Sequence, residues 1–172
     1  MSAPEDTRVV RVAREDLPKL EAFLRKDAAQ AQPGNPDAPQ AFVDGLRKSL
    51  KRFDFLSSES HWLLAAEIDG QYVGYLNAIR VHKADGRVAV LYVDELMVLA
   101  EHRRRGVASA LWQEVQSLAT EIGAWRIRVM VDPDNDPARE FYRSVGLQES
   151  PAVLCQQAPQ TLPNKQTGDD VR

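Results

Sequence analysis

Residues 94–109, DELMVLAEHRRRGVAS, connect the end of an apolar strand pattern to the start of an amphipathic helix pattern. Three arginines precede Gly106, and the small residues Ala108 and Ser109 follow it. The first amides of a helix have no intrahelical partner and carry partial positive charge, so they bind anions. Because Gly106 has no Cβ, an anion can approach the backbone closely there. The pattern indicates an anion site at a helix start, with a solvent-exposed run of charges as the alternative.

Hydrophobic periodicity and turn residues predict the elements on either side of this stretch. Strands are predicted at 8–12, 62–68, 72–80, 87–98 and 125–131, with a final pair of short strands around Leu147 and at 153–154. Helices are predicted to begin at Asp16-Leu17-Pro18, to cover 42–53, to run from 107 to Gly123, and to extend from Pro137, capped by Asp136, to Gly146. The turns Asp69-Gly70 and Asp85-Gly86 join the middle strands as hairpins. This order predicts an α/β fold with a mixed sheet and helices on both faces.

The charge and composition exclude several classes of protein. The 172 residues carry a net charge of −3, so the chain lacks the broad basic face that duplex nucleic acid selects, and we expect no nucleic-acid partner. No apolar run reaches the roughly 20 residues of a membrane span, and the N-terminus lacks a signal-peptide pattern. We therefore expect no membrane partner and a cytoplasmic location.

The chain length predicts a single domain, over residues 1–157. Residues 158–172 are rich in Gln, Pro, Asn, Asp and Gly, which predicts a disordered tail. The lone cysteine, Cys155, cannot form an internal disulfide and is predicted to be a small buried hydrophobe in a terminal strand.

Two segments together resemble the GCN5-related N-acetyltransferase (GNAT) superfamily. Arg103-Arg-Arg-Gly-Val-Ala108 is similar to the Gln/Arg-x-x-Gly-x-Gly/Ala signature of that family, and 135–147 resembles its Asn-x-x-Ala-x-x-Phe-Tyr-x-x-x-Gly-Phe pattern, with Leu147 in place of the last Phe. The resemblance implies a mixed, mostly antiparallel twisted sheet of six to seven strands with about four helices on both faces. The cofactor segments 101–111, 123–124 and 134–142 look most like the aminoglycoside 3-N-acetyltransferase branch.

The resemblance implies acetyl-CoA as the acyl donor and assigns residues to it. Backbone groups of the strand before the loop would contact pantetheine, the loop and first helical turn would grip the pyrophosphate, and the second segment would line the pantetheine arm. The predicted contacts are Leu96, Met97 and Val98 on the strand, Arg103, Arg104, Arg105, Gly106, Val107, Ala108 and Ser109 in the loop and helix, and Asn135, Ala138 and Phe141 in the second segment. For Asn135 a turn role before the helix is the alternative. The histidines are scattered without ligand spacing, so no metal site is expected.

Amine acylation by a thioester needs a base for the amine, a donor for the carbonyl oxygen and a proton for the leaving thiolate. Glu95 is the candidate base, directly or through water. The alternatives are a strand-end carboxylate paired with an arginine and a carboxylate that only attracts a cationic substrate. Asp94 and Glu95 would face opposite sides of a regular strand unless a bulge intervenes. The resemblance places Tyr142 beside the sulfur as the acid, with core packing as the alternative, and makes the N–H of Val98 the donor to the thioester oxygen.

The acceptor is the least constrained part of the prediction. The resemblance implies that the first two helices, over 27–53, shape its site, and a small-molecule amine is the first choice. A protein or peptide amine, a non-catalytic acyl-CoA-binding module and a structural domain are the alternatives. Scattered acidic residues would favour a cationic acceptor: Asp37, Asp44, Glu59, Asp94 and Glu95. Members of this family often dimerise, so a homodimer is expected, although no residue fixes its interface.

Overall fold

A computed structural model of the chain describes residues 6–153 and 155. Over these residues it contains five strands: β1 Arg8–Arg11, β2 His61–Ile68, β3 Gln71–His82, β4 Ala89–Val98 and β5 Ala124–Val129. The same residues form four α-helices: α1 Leu17–Ala31, α2 Ala38–Arg52, α3 Val107–Glu121 and α4 Asp136–Ser144. The predicted order of elements is confirmed as far as α4, with boundaries that differ by a few residues.

The strands lie in the sheet in chain order, β1-β2-β3-β4-β5. The first three pairings are antiparallel, and β4 and β5 are parallel because α3 crosses over between them. Asp69 and Gly70 join β2 to β3 with φ values of 50° and 74°. Positive φ at both central residues is what a type I′ hairpin turn requires, so the predicted turn is confirmed.

The sheet separates two hydrophobic layers. On one face, α3 and α4 pack over a core that includes Leu76, Leu91, Leu111 and Trp112. On the other face, α1 and α2 cover a second core that includes Phe23 and Val43. The predicted apolar stripe of α2 is only partly used, since Phe42 is 40% exposed while Val43 is fully buried. The two-layer arrangement places different residues of one strand in chemically different surroundings.

The expected six to seven strands are a wrong prediction for the described part of the chain, which has five. Leu147 and the stretch up to Val153 have no regular secondary structure. Glu149 instead forms ion pairs with Arg139 and Arg143 of α4, and a proline at 151 cannot donate a ladder hydrogen bond. Local charge pairing therefore holds this segment beside α4.

Cys155 is exposed and lies in no strand, so the prediction of a small buried hydrophobe is wrong. Leu154 and the predicted tail at 158–172 lie outside the described residues. Within those residues no helix combines the length and apolar character that crossing a membrane requires.

Candidate active site

Strand β4 loses its neighbour on one side halfway along its length. Its parallel pairing with β5 begins at Ala89 and ends where Val93 meets Val129. Its antiparallel pairing with β3 continues as far as Val98. The edge of β4 over residues 94–98 is therefore left without a ladder partner from β5. This splay between two adjacent strands could not be seen in the sequence.

The backbone amides of Leu96 and Val98 point into this opening. Leu99 donates a 3.0 Å hydrogen bond to the carbonyl of Val73, so these two residues form a hydrogen-bonded pair of the antiparallel ladder. Such pairs alternate with pairs whose N–H groups point away from the partner strand. By the register of β3 and β4, Leu96 and Val98 occupy the alternate positions. They present N–H groups where a ligand between β4 and β5 would lie.

Met97 is turned the other way. It is opposite Tyr75 in the register, at a hydrogen-bonded position of the ladder, and its side chain packs with the core under α1 and α2. Of the three predicted strand contacts with the cofactor, Leu96 and Val98 thus direct their backbone N–H groups into the opening. The N–H of Met97 points towards β3, and its side chain lies on the face of the sheet covered by α1 and α2.

A β-bulge at Asp94 sets the direction of Glu95. Asn77 is opposite Glu95, whereas Ala78 is opposite Val93, so Asp94 is the extra residue on β4. The bulge anticipated for this pair of carboxylates is present, and both side chains are exposed. Glu95 lies on the face covered by α1 and α2, and its Oε2 accepts a 2.9 Å hydrogen bond from the hydroxyl of Tyr75.

The predicted anion site is built around two residues with left-handed backbone. Gly106 is the N-cap of α3 with φ 82°, and Arg104 has φ 57°. The first intrahelical bond runs from Ala110 N to Gly106 O, at 3.0 Å. The amides of residues 106–109 therefore have no partner from a preceding helical turn. The side chains of 103–105 are exposed around this turn. A concave run of amides next to three guanidinium groups is suited to a diphosphate.

Gly74 on β3 sets the height of this turn above the sheet. A Cβ at position 74 would lie 2.9 Å from Val107 Cγ1 and 3.2 Å from Leu111 Cδ1. The side chain of Val107 is buried against the sheet, so only its backbone faces the anion site. Sequence reasoning missed Gly74, although a glycine inside a predicted strand is a signal of close backbone approach.

The loop between β4 and α3 is held from two sides. Arg103 Nε donates a 2.9 Å hydrogen bond to the carbonyl of Val98 at the end of β4. From α1, Gln30 accepts a 2.9 Å bond from the amide of Ala100 and donates a 2.8 Å bond to Glu101. These contacts connect helix α1 with the loop. Gln30 carried no recognisable signal in the sequence, because its partners are about 70 residues away.

Tyr142 packs in the core under α3, on the opposite side of the sheet from Glu95. Its side chain is 9% exposed, and its ring lies edge-on to Trp112, at a centroid distance of 5.4 Å. Burial raises the pKa of Tyr142 to about 12. The phenol therefore stays protonated at neutral pH and can donate a proton. Core packing and a catalytic role, which were alternatives from the sequence, are compatible for this residue.

Asn135 rather than Asp136 caps α4. Its side-chain Oδ1 accepts a 3.2 Å hydrogen bond from the amide of Ala138, while Asp136 is the first helical residue. An Asn at the N-cap satisfies an orphan amide, which is why the helix begins here. The amide nitrogen of Asn135 stays free to donate to a ligand. Ala138 and Phe141, the other predicted contacts on α4, are partly buried against the core.

A cleft of about 280 Å³ opens between the helices α1 and α2 and the sheet. Its helical wall is formed mainly by Leu20 and Leu24 of α1 and by Phe42 and Leu46 of α2. The strands form its floor, which contributes both apolar and polar side chains: Leu63, His61, Tyr75, Asn77, Glu95 and Met97. The structure therefore confirms that residues within 27–53 border a cleft, and it adds part of α1 and of three strands.

The polar side chains of this floor are hydrogen-bonded to one another. His61 Nε2 and Asn77 Oδ1 lie 2.5 Å apart, and Asn77 Nδ2 lies 3.5 Å from Asp94 Oδ2. The ring of His61 stacks on Phe55, with centroids 5.1 Å apart. Sequence reasoning missed His61, Tyr75 and Asn77. The signal was an asparagine two residues after a tyrosine inside a predicted strand, since asparagine is depleted in strands.

Only two of the five scattered acidic residues lie near one another, Glu95 in the cleft lining and Asp94, whose Oδ2 is 3.5 Å from Asn77 Nδ2 of the floor. Among the described residues that line the cleft, Glu95 is the only carboxylate. Asp44 accepts a hydrogen bond from Gln40 on the surface of α2, and Asp37 and Glu59 are exposed outside the cleft. The described lining of the cleft therefore lacks the several carboxylates that would pair with a polycationic ligand. The residues that the structure describes also contain no group of three or more His, Cys, Asp or Glu that could hold a metal ion.

Comparison with known proteins agrees with this geometry. Residues 22–147 match the family model described as "Acetyltransferase (GNAT) family". An uncharacterized N-acetyltransferase of Mycobacterium tuberculosis is 31% identical over 111 residues, which cover 64% of this chain and 68% of that protein. An aminoglycoside N(6')-acetyltransferase type 1 of Salmonella typhimurium is 29% identical over 134 residues, covering 76% of this chain and 85% of that protein.

Solved structures share the fold. An aminoglycoside acetyltransferase from an uncultured soil metagenomic sample, in complex with sisomicin, has a TM-score of 0.73 at 23% identity, and the match covers 90% of this chain and 97% of that one. The aminoglycoside N-acetyltransferase AAC(6')-Iy in complex with CoA has a TM-score of 0.68 at 21% identity, with 88% and 94% covered. The mixed α/β architecture expected from the two sequence segments is confirmed.

Proposed function

Because this chain belongs to the acetyltransferase (GNAT) family, we propose that Glu95 and Tyr142 serve acetyl transfer to an amine that enters from the cleft under α1 and α2. The chain is an acetyl-CoA-dependent N-acyltransferase that acts on the amine of a small molecule. One observation carries the assignment of residues. The opening along β4 has Glu95 on one face of the sheet and the buried phenol of Tyr142 in the layer on the other.

The residues present fit acetyl-CoA. Free backbone amides at Leu96 and Val98 suit the amide-bearing pantetheine arm, and the turn at Gly106 suits the pyrophosphate. The proposed pyrophosphate contacts are the guanidinium groups of Arg103, Arg104 and Arg105 and the amides of Gly106, Val107, Ala108 and Ser109. Asn135 would donate to pantetheine, with Ala138 and Phe141 beside it. Acetyl-CoA, when bound, supplies an acetyl group activated as a thioester.

The proposed chemistry is direct transfer in a ternary complex. Glu95 accepts a proton from the substrate ammonium, directly or through water, because only the neutral amine is nucleophilic. The amine nitrogen then bonds to the acetyl carbon while the carbon–sulfur bond breaks, and the N–H of Val98 stabilises the carbonyl oxygen. The nitrogen loses its remaining extra proton to water, and water returns a proton to the phenolate of Tyr142 after the transfer. Tyr142 gives its proton to the departing thiolate. The phenol of Tyr142 is protonated at neutral pH, as an acid for this step must be, while burial, which raises its pKa to about 12, makes it a weaker acid than an exposed tyrosine.

The resemblances do not agree on which amino group of an aminoglycoside would be acetylated. The cofactor segments resemble the 3-N branch, whereas the curated aminoglycoside relatives carry N(6') in their names. The acceptor is therefore argued from the cleft itself. A homodimer stays a prediction, which light scattering of the purified chain would test.

A thiol-release assay with acetyl-CoA and a panel of primary amines tests the proposal. We expect Glu95→Gln to lower kcat/KM by about 100-fold or more, in the range of general base catalysis, with the affinity for CoA unchanged. Glu59→Gln, an exposed acid outside the cleft, is the matched control and should retain the wild-type rate. CoA binding without turnover on any amine would favour the non-catalytic module, and full activity of Glu95→Gln would remove the base role.

A further inference from the structure

The chemistry of the cleft is divided between its two walls. The side that belongs to the helices is hydrocarbon over Leu20, Leu24, Phe42 and Leu46, with Ser49 as its polar exception. The polar groups are gathered on the strands, next to the opening along β4. A ligand that fills this space would meet polar groups at one end and apolar side chains along the rest of its length.

The polar groups on the floor have few free hydrogen-bonding positions. Glu95 Oε2 is bonded to Tyr75, and Asn77 is bonded to His61 at 2.5 Å. A polyhydroxylated amine would have to bury several hydroxyl and ammonium groups against leucine and phenylalanine without partners. Burying polar groups without partners costs free energy, and burying unpaired charges costs much more.

Two further observations favour an apolar ligand of modest size. Phe42 is 40% exposed at the edge of the cleft, so a large apolar side chain is left for a ligand to cover. The volume of about 280 Å³ lies just below the range of about 300–1,000 Å³ that is usual for small-molecule sites. Among the described residues that line the cleft Glu95 is the one carboxylate, which matches one ammonium group, and the neighbouring Asp94 contacts Asn77.

From these observations we infer that the acceptor is a primary monoamine with an apolar body. Its ammonium group lies at Glu95, and its hydrocarbon part packs between α1 and α2. The inference rests on the proposed function and narrows it, because it separates this chain's acceptor from the polyamino sugars for which several of its relatives are named.

A homologous series of unbranched amines tests the inference, since their basicity is nearly constant while their apolar length changes. Thiol release is measured with propylamine, butylamine, pentylamine and hexylamine at saturating acetyl-CoA. Transfer of one methylene out of water predicts about a fourfold rise in kcat/KM at each step, and roughly 60-fold from propylamine to hexylamine. A flat or falling series would overturn the inference.

A diamine of equal length provides the sharpest comparison. We expect 1,6-diaminohexane to have a kcat/KM at least about tenfold below that of hexylamine, because its second ammonium group would be buried against the helices. Neamine should be weaker than hexylamine for the same reason. Equal or better use of the diamine or of neamine would overturn the inference while leaving the acetyltransferase function intact.

Variants on α2 test whether the hydrocarbon part of the amine packs against this helix. Leu46→Gln should flatten the dependence on chain length, whereas Leu50→Gln, one turn further along the helix and outside the cleft lining, should leave it unchanged. Unchanged CoA affinity and circular dichroism show that both variants are folded. An unaltered slope in Leu46→Gln would contradict the placement of the hydrocarbon part.

A failure of the proposed acetyl transfer can be told apart from a failure of the inference about the acceptor. If CoA binds and no amine releases thiol, that function fails, and calorimetry of hexylamine and propylamine with the CoA-saturated chain then decides the inference. Tighter binding of hexylamine by tenfold or more would support the apolar cleft. Equal affinities would overturn it.

Discussion

The hydroxyl of Tyr75 donates a 2.9 Å hydrogen bond to Oε2 of Glu95, across the pairing of β3 with β4. Burial and the neighbouring carboxylate of Glu95 raise the pKa of Tyr75, so its hydroxyl stays protonated and donates this hydrogen bond at neutral pH. The bond fixes one oxygen of the carboxylate and leaves the other to face the cleft. Tyr75 is therefore a positioning residue for the proposed base.

We expect Tyr75→Phe to lower kcat by about tenfold or more, because a hydrogen bond to a charged group contributes about 1.5–3 kcal/mol. The affinity for CoA should not change, since Tyr75 lies on the acceptor face of the sheet. Tyr72→Phe is the matched control, as Tyr72 is buried on the same strand outside the cleft. Steady-state kinetics and CoA titration provide the readouts, and a wild-type kcat in Tyr75→Phe would contradict the positioning role.

The two glycines at the ends of α3 allow a controlled test of the anion site. Gly106 and Gly123 have φ values of 82° and 63°, so alanine at either position should cost about 1–2 kcal/mol of folding free energy. Only Gly106→Ala should also weaken CoA binding, by about tenfold or more, because its amide turn is the proposed site of the pyrophosphate. Denaturant unfolding and CoA calorimetry measure the two effects. Equal CoA affinity in both variants would place the diphosphate elsewhere.

Gly74 is expected to affect anion binding because its lack of a Cβ lets the first turn of α3 pack close to the sheet. In Gly74→Ala the new Cβ would lie 2.9 Å from Val107 Cγ1, which should destabilise the fold by about 1–3 kcal/mol and raise the Kd for CoA several-fold. Gly45→Ala on α2 has no atom within 4 Å of its new Cβ and should stabilise the fold by about 0.5–1 kcal/mol. Unchanged CoA affinity in Gly74→Ala, measured by calorimetry, would show that the height of α3 does not matter.

Tyr142 should link stability to alkaline pH. Its folded pKa of about 12 lies above the unfolded value of 10.0, so its contribution is complete below pH 10 and is lost as the pH rises towards 12. At pH 11 the wild-type chain should lose about 1.4 kcal/mol that Tyr142→Phe does not lose. Guanidinium unfolding of both proteins at pH 9 and pH 11 measures this difference. Parallel losses in the two proteins would mean that the phenol is not buried as described.

The sequence alone specified the elements that are governed by local chemistry. Positive φ at Asp69-Gly70 and at Gly106 follows from residues that tolerate it, and helical periodicity placed α3 and α4. The turn and helix start that would form the anion site could be predicted because they lie in one short continuous segment, and anion binding there stays a prediction. Apolar alternation likewise gave the strands, within a few residues of their observed ends.

Only the tertiary structure decided what depends on residues distant in the chain. The end of the β4–β5 pairing at Val93, the bond from Tyr75 to Glu95 and the seating of Val107 on Gly74 each join separate elements. The last segment was mispredicted as strand, and in the structure its Glu149 pairs with Arg139 and Arg143 of α4. The sequence thus determined the proposed anion turn, whose groups are contiguous, whereas folding determined the gap along β4 and the cleft, whose lining comes from two helices and three strands brought together by packing.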